Sequence, residues 1–336
     1  MSSRMLAVSL IALSLLGHAP TLLAEPSGKS VHVASTLETL LAFDPSQGQL
    51  PESLTINADG ELFLSMSNNI VKVDRQLTLS TYASLPLPAG YFALGLKFGP
   101  DDCLYVASGA FTASPSGAFV WRVCAPGQVE QFATLDANGF PNDLAFDDCG
   151  LLYVTDPFLG RIWRVDQAGQ ASVWLEHPLL AGNAASPVLP AHFFGVDGIA
   201  FNADKTQLFV GNLDYGSIVR IHVGRSGAAG RVETFVSDPL LRGADGLAFD
   251  ADGTLYVAVN AQDRLVAISE RGALTLLNEG APLDAPSSLV FGTRGHEKKT
   301  LYISSFAINR ALGQPAETPH PALLARDVKR RGLPLP

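Results

Sequence analysis

The sequence predicts an all-β fold, a six-bladed β-propeller whose N-terminal strand closes the last blade. Three observations carry that prediction. A six-residue pattern recurs six times without a gap, each copy is followed by a turn and a second apolar strand, and the copies stand about 42 to 55 residues apart. That spacing is the length of a four-stranded blade.

The recurring segments are 52–57 (ESLTIN), 94–99 (LGLKFG), 142–147 (NDLAFD), 197–202 (DGIAFN), 245–250 (DGLAFD) and 287–292 (SSLVFG). Apolar residues at alternate positions give each the period of a strand. The second strands contain 62–64 (LFL), 104–106 (LYV), 152–154 (LYV), 208–210 (LFV), 255–257 (LYV) and 301–303 (LYI), so six hairpins are expected. Asp59-Gly60 and Asp252-Gly253 supply the residues that tight turns prefer, and Asp148, Cys149 and Gly150 make a looser version.

Third strands follow, as at 160–166 (GRIWRVD), and fourth strands, as at 129–135 (VEQFATL) and 232–236 (VETFV). The last copy continues into a third strand at 322–328 and lacks a fourth on its C-terminal side. Residues 31–37 (VHVASTL) resemble the fourth strands elsewhere, so the N-terminus is expected to complete the final blade. Closing the ring this way removes an exposed sheet edge. Residues 25–336 are thus expected to form a single domain.

Residues 1–24 carry Arg4, an apolar stretch over 5–16 and small residues at Ala19 and Ala24, the pattern of a cleavable signal peptide. The apolar run is shorter than the roughly 20 residues of a spanning helix. The expectation is export to the periplasm or beyond, with no membrane span after cleavage. Three cysteines remain, too few for a disulfide scaffold. Cys103 and Cys124 fall at neighbouring ends of antiparallel strands, and an oxidising compartment permits a disulfide between them, which would leave Cys149 as the odd thiol.

With 47% hydrophobic and 16% charged residues, the chain can bury a large core and is not a disordered one. A net charge of −9, with one short basic run at 329–331, argues against a nucleic-acid partner. A monomer acting on a small molecule is the expectation. No convincing nucleophile elbow or phosphate-cradling loop occurs, which sets aside serine-hydrolase and nucleotide chemistry.

If the first strand of each blade is innermost, the residues opening the six copies share one face of the disc. Read round the ring they are Glu52, Leu94, Asn142, Asp197, Asp245 and Ser287. Three carboxylates and an amide oxygen converging on a narrow channel would repel one another without a cation. Glu52, Asn142, Asp197 and Asp245 are therefore the predicted ligands. Hard oxygen donors point to calcium, with manganese and magnesium as alternatives and zinc atypical. The competing reading is that Asp before Gly sits in a turn for backbone reasons alone. Loops after the second strands add Ser108, Asp156, Asn212, Asp214, Tyr215, Asn260 and Gln262, a polar wall suited to substrate hydroxyl or carbonyl groups. His192, shortly before Asp197, is a candidate substrate-binding acid or base, against a blander role packed on Phe193 and Phe194. His222 sits in a strand and reads as structural.

Segments 142–147 and 245–258 resemble the gluconolactonase and regucalcin family of six-bladed propellers, and the likeness spans Glu52 to about Phe306. It shades into strictosidine synthase-like and paraoxonase-like propellers. The resemblance implies that Glu52, Asp197 and Asp245 bind the cation, with Asp197 standing where the family usually has Asn. It implies that Asn142 contacts substrate or metal. The family's substrate-binding Arg two residues earlier is replaced here by Phe140, which points to an ester or lactone less polar than gluconolactone. The implied activity is metal-dependent hydrolysis, in which the cation polarises the carbonyl, Asp245 is the general base and Asn142 orients the oxyanion. The alternatives are a non-catalytic exported ligand-binding propeller and a metal-dependent lyase or isomerase of a cyclic metabolite.

Overall fold

A computed structural model describes residues 36–112, 117–189, 192–311 and 317–334. Residues 1–24, where a signal peptide is expected, lie outside the described residues. Six four-stranded antiparallel sheets make up the fold, one per sequence repeat. Their innermost strands are Pro51–Ile56, Tyr91–Phe98, Leu144–Phe146, Val196–Phe201, Ala244–Phe249 and Pro286–Phe291, opening blades 1 to 6 in chain order. In blades 1 to 5 the strands run outward in sequence order. Blade 6 takes its third strand from Ala322–Asp327 and its fourth from Glu38–Ala42 near the N-terminus.

The closing strand therefore lies downstream of the expected 31–37 segment. Residues 31–35 are outside the described residues, Thr36 is a bend and Leu37 precedes the strand. Thr39 pairs with Leu324 and Ala42 with Ala322. Alternation alone cannot choose between adjacent segments of similar polarity; the apolar partners on Ala322–Asp327 make the choice.

The burial gradient explains the sequence pattern. Every residue of the inner strands Pro51–Ile56 and Pro286–Phe291 is buried, whereas outer strands such as Leu274–Glu279 alternate with solvent. The cores lie between blades rather than within them. Phe63 and Ile70 of blade 1 pack with Leu96, Leu104 and Trp121 of blade 2, and Leu54 and Leu64 pack with Tyr302 and Leu323 of blade 6 to close the ring. At about 1.5–3 kcal/mol for each large apolar side chain buried, these six interfaces supply the force that holds the inner strands together.

The residues ending each repeat close the first hairpin turn. Asp250 Oδ1 accepts from the amides of Asp252 and Thr254, and Asp147 Oδ1 does the same for Cys149 and Leu151. The Asp148–Gly150 turn is thus as tightly closed as that at Asp252-Gly253. The repeated tyrosine of the second strand returns to the same carboxylate, as Tyr153 Oη to Asp147 and Tyr256 Oη to Asp250, both at 3.2 Å. Cys103 and Cys124 form a disulfide within blade 2, and Cys149 is free and exposed. With a sequence separation of 21, the link is worth about 3 kcal/mol on the loop-entropy estimate.

One irregularity positions the site. In five blades the pairing of the first and second strands slips by one residue, between Pro51/Ser53, Ala93/Leu96, Val196/Ile199, Ala244/Leu247 and Pro286/Ser288. These bulges fall on Glu52, Leu94, Asp197, Asp245 and Ser287, and a bulge re-aims a side chain that regular alternation would direct elsewhere. Glycine follows in blades 4 and 5 because the next blade arrives there. A Cβ on Gly198 would stand 1.9 Å from Asp245 O, and one on Gly246 2.5 Å from Ser287 O. The Asp-Gly pairs at 197–198 and 245–246 therefore serve the contact between blades and are not turns.

Gly198→Ala is expected to destabilise by about 1–3 kcal/mol or more through overpacking against backbone, lowering the Tm by several degrees. A melting curve indistinguishable from wild type would contradict the close approach.

Candidate functional site

The bulged residues meet at one mouth of the channel. Glu52, Asn142, Asp197 and Asp245 form the floor of a pocket of about 100 Å3, with Leu94 completing that side of the ring. Four of the six repeat positions thus bring their oxygens to one place, from four blades. Ser287 does not join them. Its hydroxyl donates to the Glu52 carbonyl and lies 3.1 Å from Ser304 Oγ, fastening blade 6 to blade 1.

Asn142 reaches the floor by a different route, because the inner strand of blade 3 starts only at Leu144. Its amide donates to Thr155 O at 2.9 Å, and the Asp143 amide donates to Thr155 Oγ1 at 3.0 Å. Asp143 occupies the position where blades 4 and 5 carry glycine. Its carboxylate accepts from Leu144 N at 2.8 Å and, across the blade boundary, from Ile199 N at 3.2 Å. A charge where other repeats have Gly or Ser was the available signal for this residue, and the sequence reading passed over it.

The floor is electrostatically frustrated. Burial raises Glu52, Asp197 and Asp245 well above the ordinary carboxylate range. Repulsion adds to this: Asp197 and Asp143 act on Glu52, Asp143 and Asp214 on Asp197, and Asp197, Glu52 and Asp143 on Asp245. No cationic side chain appears among the groups acting on these three. Relief is slight. Ser65 Oγ donates to Glu52 Oε2 at 3.4 Å and Asn260 Nδ2 to Asp245 Oδ2 at 3.2 Å, while Asp197 Oδ1 is buried with no hydrogen-bond partner.

These observations fit a hard divalent cation: an orphaned buried oxygen, two further buried carboxylates and an amide oxygen within reach. The oxygens stand apart rather than in contact. Among the described residues, the one acidic, His or Cys triad with ligand atoms within 4.8 Å of one another is Asp101, Cys103 and Cys124, whose two sulfurs are spent in the disulfide.

The wall above the floor is not the polar one expected. Phe92, Phe111, Phe140, Phe194, Leu189 and Phe306 contribute to it, and the polar loop residues mostly serve the scaffold. Asn212 donates to the carbonyls of Leu179 and Ala181 at 3.0 and 2.9 Å and does not line the pocket. Asp156 accepts from Phe140 N and Trp163 Nε1, Ser108 from Trp121 Nε1, and Gln262 donates to Pro239 and Arg242 carbonyls. Asp214 holds the 183–188 segment through the amides of Asn183 and Val188. Tyr215 is 54% exposed and does not line the pocket. Of that group only Asn260 reaches the cavity. A hydrophilic loop residue is as readily consumed by satisfying backbone as by facing a ligand.

His192 is placed behind the wall. It stacks on Phe158, with centroids 5.5 Å apart and planes at 6°, and lies against Phe111 at 5.2 Å. Burial lowers its proton affinity, and it does not line the pocket. Its packing is the blander expectation with different neighbours. Phe140, 2% exposed, sits in the wall itself, stacked on Phe158 at 4.9 Å and edge-on to Phe194 at 5.7 Å.

Comparison with known proteins agrees with this architecture. The family model for the SMP-30/gluconolactonase/LRE-like region matches residues 50–307. A gluconolactonase from Zymomonas mobilis is 28% identical over 237 residues, 66% of this chain, and the match spans 64% of that relative's length. Among solved structures, regucalcin from Agrobacterium tumefaciens, described as a calcium-binding protein, is similar with TM-score 0.60 at 16% identity, covering 85% of this chain and 92% of that one. A gluconolactonase from Xanthomonas campestris gives 0.58 at 17%, covering 93% and 99%. Virginiamycin B lyase from Staphylococcus aureus gives 0.57 at 18%, covering 82% and 83%. At these identities the structural likeness is one of fold, and it is the family model spanning most of the chain that decides membership: this protein belongs to the SMP-30/gluconolactonase/LRE-like family.

Proposed function

We propose that the protein is a divalent-metal-dependent lactonase, opening a cyclic ester with water to give a hydroxy acid. The observation that carries the reading is the convergence of Glu52, Asp197 and Asp245 beside Asn142, buried without a counter-charge at the floor of a pocket. Membership of the family and the gluconolactonase relative support lactone hydrolysis over a lyase or a binding module.

Glu52, Asp197 and Asp245, with the Asn142 amide oxygen, would hold the cation, and calcium suits their hard, oxygen-only chemistry. A cation bound there supplies Lewis-acid polarisation of the lactone carbonyl and acidifies water. The chain's own groups do the rest. Asp245 takes the proton from the attacking water and returns it to the ring oxygen as the C–O bond breaks. Asn260, donating to Asp245 Oδ2, fixes the carboxylate's rotation. Asn142 orients the carbonyl oxygen as charge develops on it. The apolar wall excludes bulk water and strengthens each of these contacts. We further propose an exported protein, which the Cys103–Cys124 disulfide supports.

Asp245→Asn is expected to lower kcat by about 10²–10⁴-fold on a lactone substrate, measured at metal content equal to wild type. Full activity in that variant removes Asp245 as the base.

The cation requirement has a separate signature. A carboxyl whose folded pKa is raised binds more protons folded than unfolded, so its contribution is fully present below the unfolded value, about 4, and is lost as pH rises through the folded value. In chelator, the Tm should fall as pH rises above about 4, and millimolar calcium should restore it. Asp197→Asn should remove part of the fall while weakening the calcium effect. A pH-independent Tm indifferent to calcium, manganese and magnesium would contradict the site.

A further inference from the structure

We infer that the pocket selects lactones bearing an alkyl or aryl substituent and disfavours polyhydroxylated sugar lactones. This rests on the lactonase reading and names its substrate class.

The distribution of polar groups decides it. Among the described residues, every polar side chain lining the cavity belongs to the floor or its edge: Glu52, Asn142, Asp197 and Asp245, with Asn260 and Asn309 at one side. Those two are already engaged. Asn309 Nδ2 reaches Asn260 Oδ1 at 3.3 Å, and Asn260 donates to Asp245. The wall above offers aromatic and aliphatic carbon from separate segments: Phe92 at the start of the inner strand of blade 2 and Phe111 after its second strand, Phe140 entering blade 3, Leu189 and Phe194 entering blade 4, and Phe306 between the second and third strands of blade 6.

A ring hydroxyl pointing away from the floor has no partner there. Each hydroxyl desolvated without a hydrogen bond costs about tenfold or more in affinity. A methylene buried on the same surface gains about fourfold. A sugar lactone carries several of the first kind, and an alkyl or aryl lactone only the second.

The wall cannot readily rearrange to supply polar groups. Phe140 is locked between Phe158 at 4.9 Å, Phe111 at 5.1 Å and Phe194 at 5.7 Å. The segment carrying Leu189 is tethered by Asp214 to the Val188 amide, and Arg242 Nη2 holds the Ser186 carbonyl at 2.9 Å. Phe306 precedes the short helix Ile308–Ala311, where Arg310 is anchored on Asp263 and Asp284 at 3.0 and 2.6 Å. The pocket, of about 100 Å3, receives the lactone ring over the floor. The substituent then lies toward Phe92, which is 38% exposed.

The test compares δ-decalactone and dihydrocoumarin with glucono-δ-lactone, using the purified full chain with calcium or manganese. The expected kcat/KM for the first two exceeds that for glucono-δ-lactone by about a hundredfold, and Phe92→Ser or Leu189→Gln lowers that ratio about tenfold. Equal or better turnover of glucono-δ-lactone overturns the substrate inference and leaves the hydrolase reading standing. If no lactone is opened with either metal, the hydrolase reading fails, and calorimetric binding then decides the pocket's preference. Tighter binding of δ-decalactone, lost in Phe92→Ser, upholds the apolar class; equal or absent binding of both lactones overturns it.

Discussion

Three carboxylates that repel one another are held together in a dry channel, and the rest of the architecture is arranged around that constraint. Like charges repel more strongly there than in water, because the effective dielectric of a protein interior is lower. The inter-blade cores offset such a cost, since each buries many large apolar side chains. Placement depends on backbone. Bulges turn Glu52, Asp197 and Asp245 inward, and glycines at 198 and 246 let the next inner strand approach closely enough for the ring to be narrow. A site of this kind has oxygen donors preorganised by the fold and a charge deficit for a cation to fill.

Floor and wall have different origins and do different things. The floor comes from the repeat, one residue from each of four blades, three of them on largely buried inner strands. The wall comes from segments that share no pattern, and its shape depends on tethers distant from the chemistry: Asp214, Arg242 and the Arg310 cluster. In such an arrangement the floor suits one chemical step and the wall can change its substrate independently of it.

The repeat itself was legible. Its period gave the number of blades, its turns gave the hairpins, and the third strand of the last blade appears where expected, at Ala322–Asp327. Glu52, Asn142, Asp197 and Asp245, four of the six opening residues, line one pocket. Other features were not legible because they depend on what a residue meets in space. Asn212 and Asp156 look like ligand-facing loop residues until their backbone partners are known. Asp143 was hidden beside Asn142, and its bond to Ile199 N exists only between blades. The closing strand is Glu38–Ala42, and alternation alone could not choose it over its neighbour of similar polarity; its pairing with Ala322–Asp327 is a tertiary contact.

By itself the sequence determined what is periodic: six copies of an apolar alternation, and the acidic or amide residue that opens four of them. Periodicity suffices because burial on both faces of an inner strand constrains every copy alike. Tertiary structure alone decided which polar groups remain available once the backbone has taken its share. It also decided that six apolar side chains, spread over more than two hundred residues from Phe92 to Phe306, would cover the carboxylates as one surface. No local pattern records that convergence, because it depends on how separate segments fold over a closed ring.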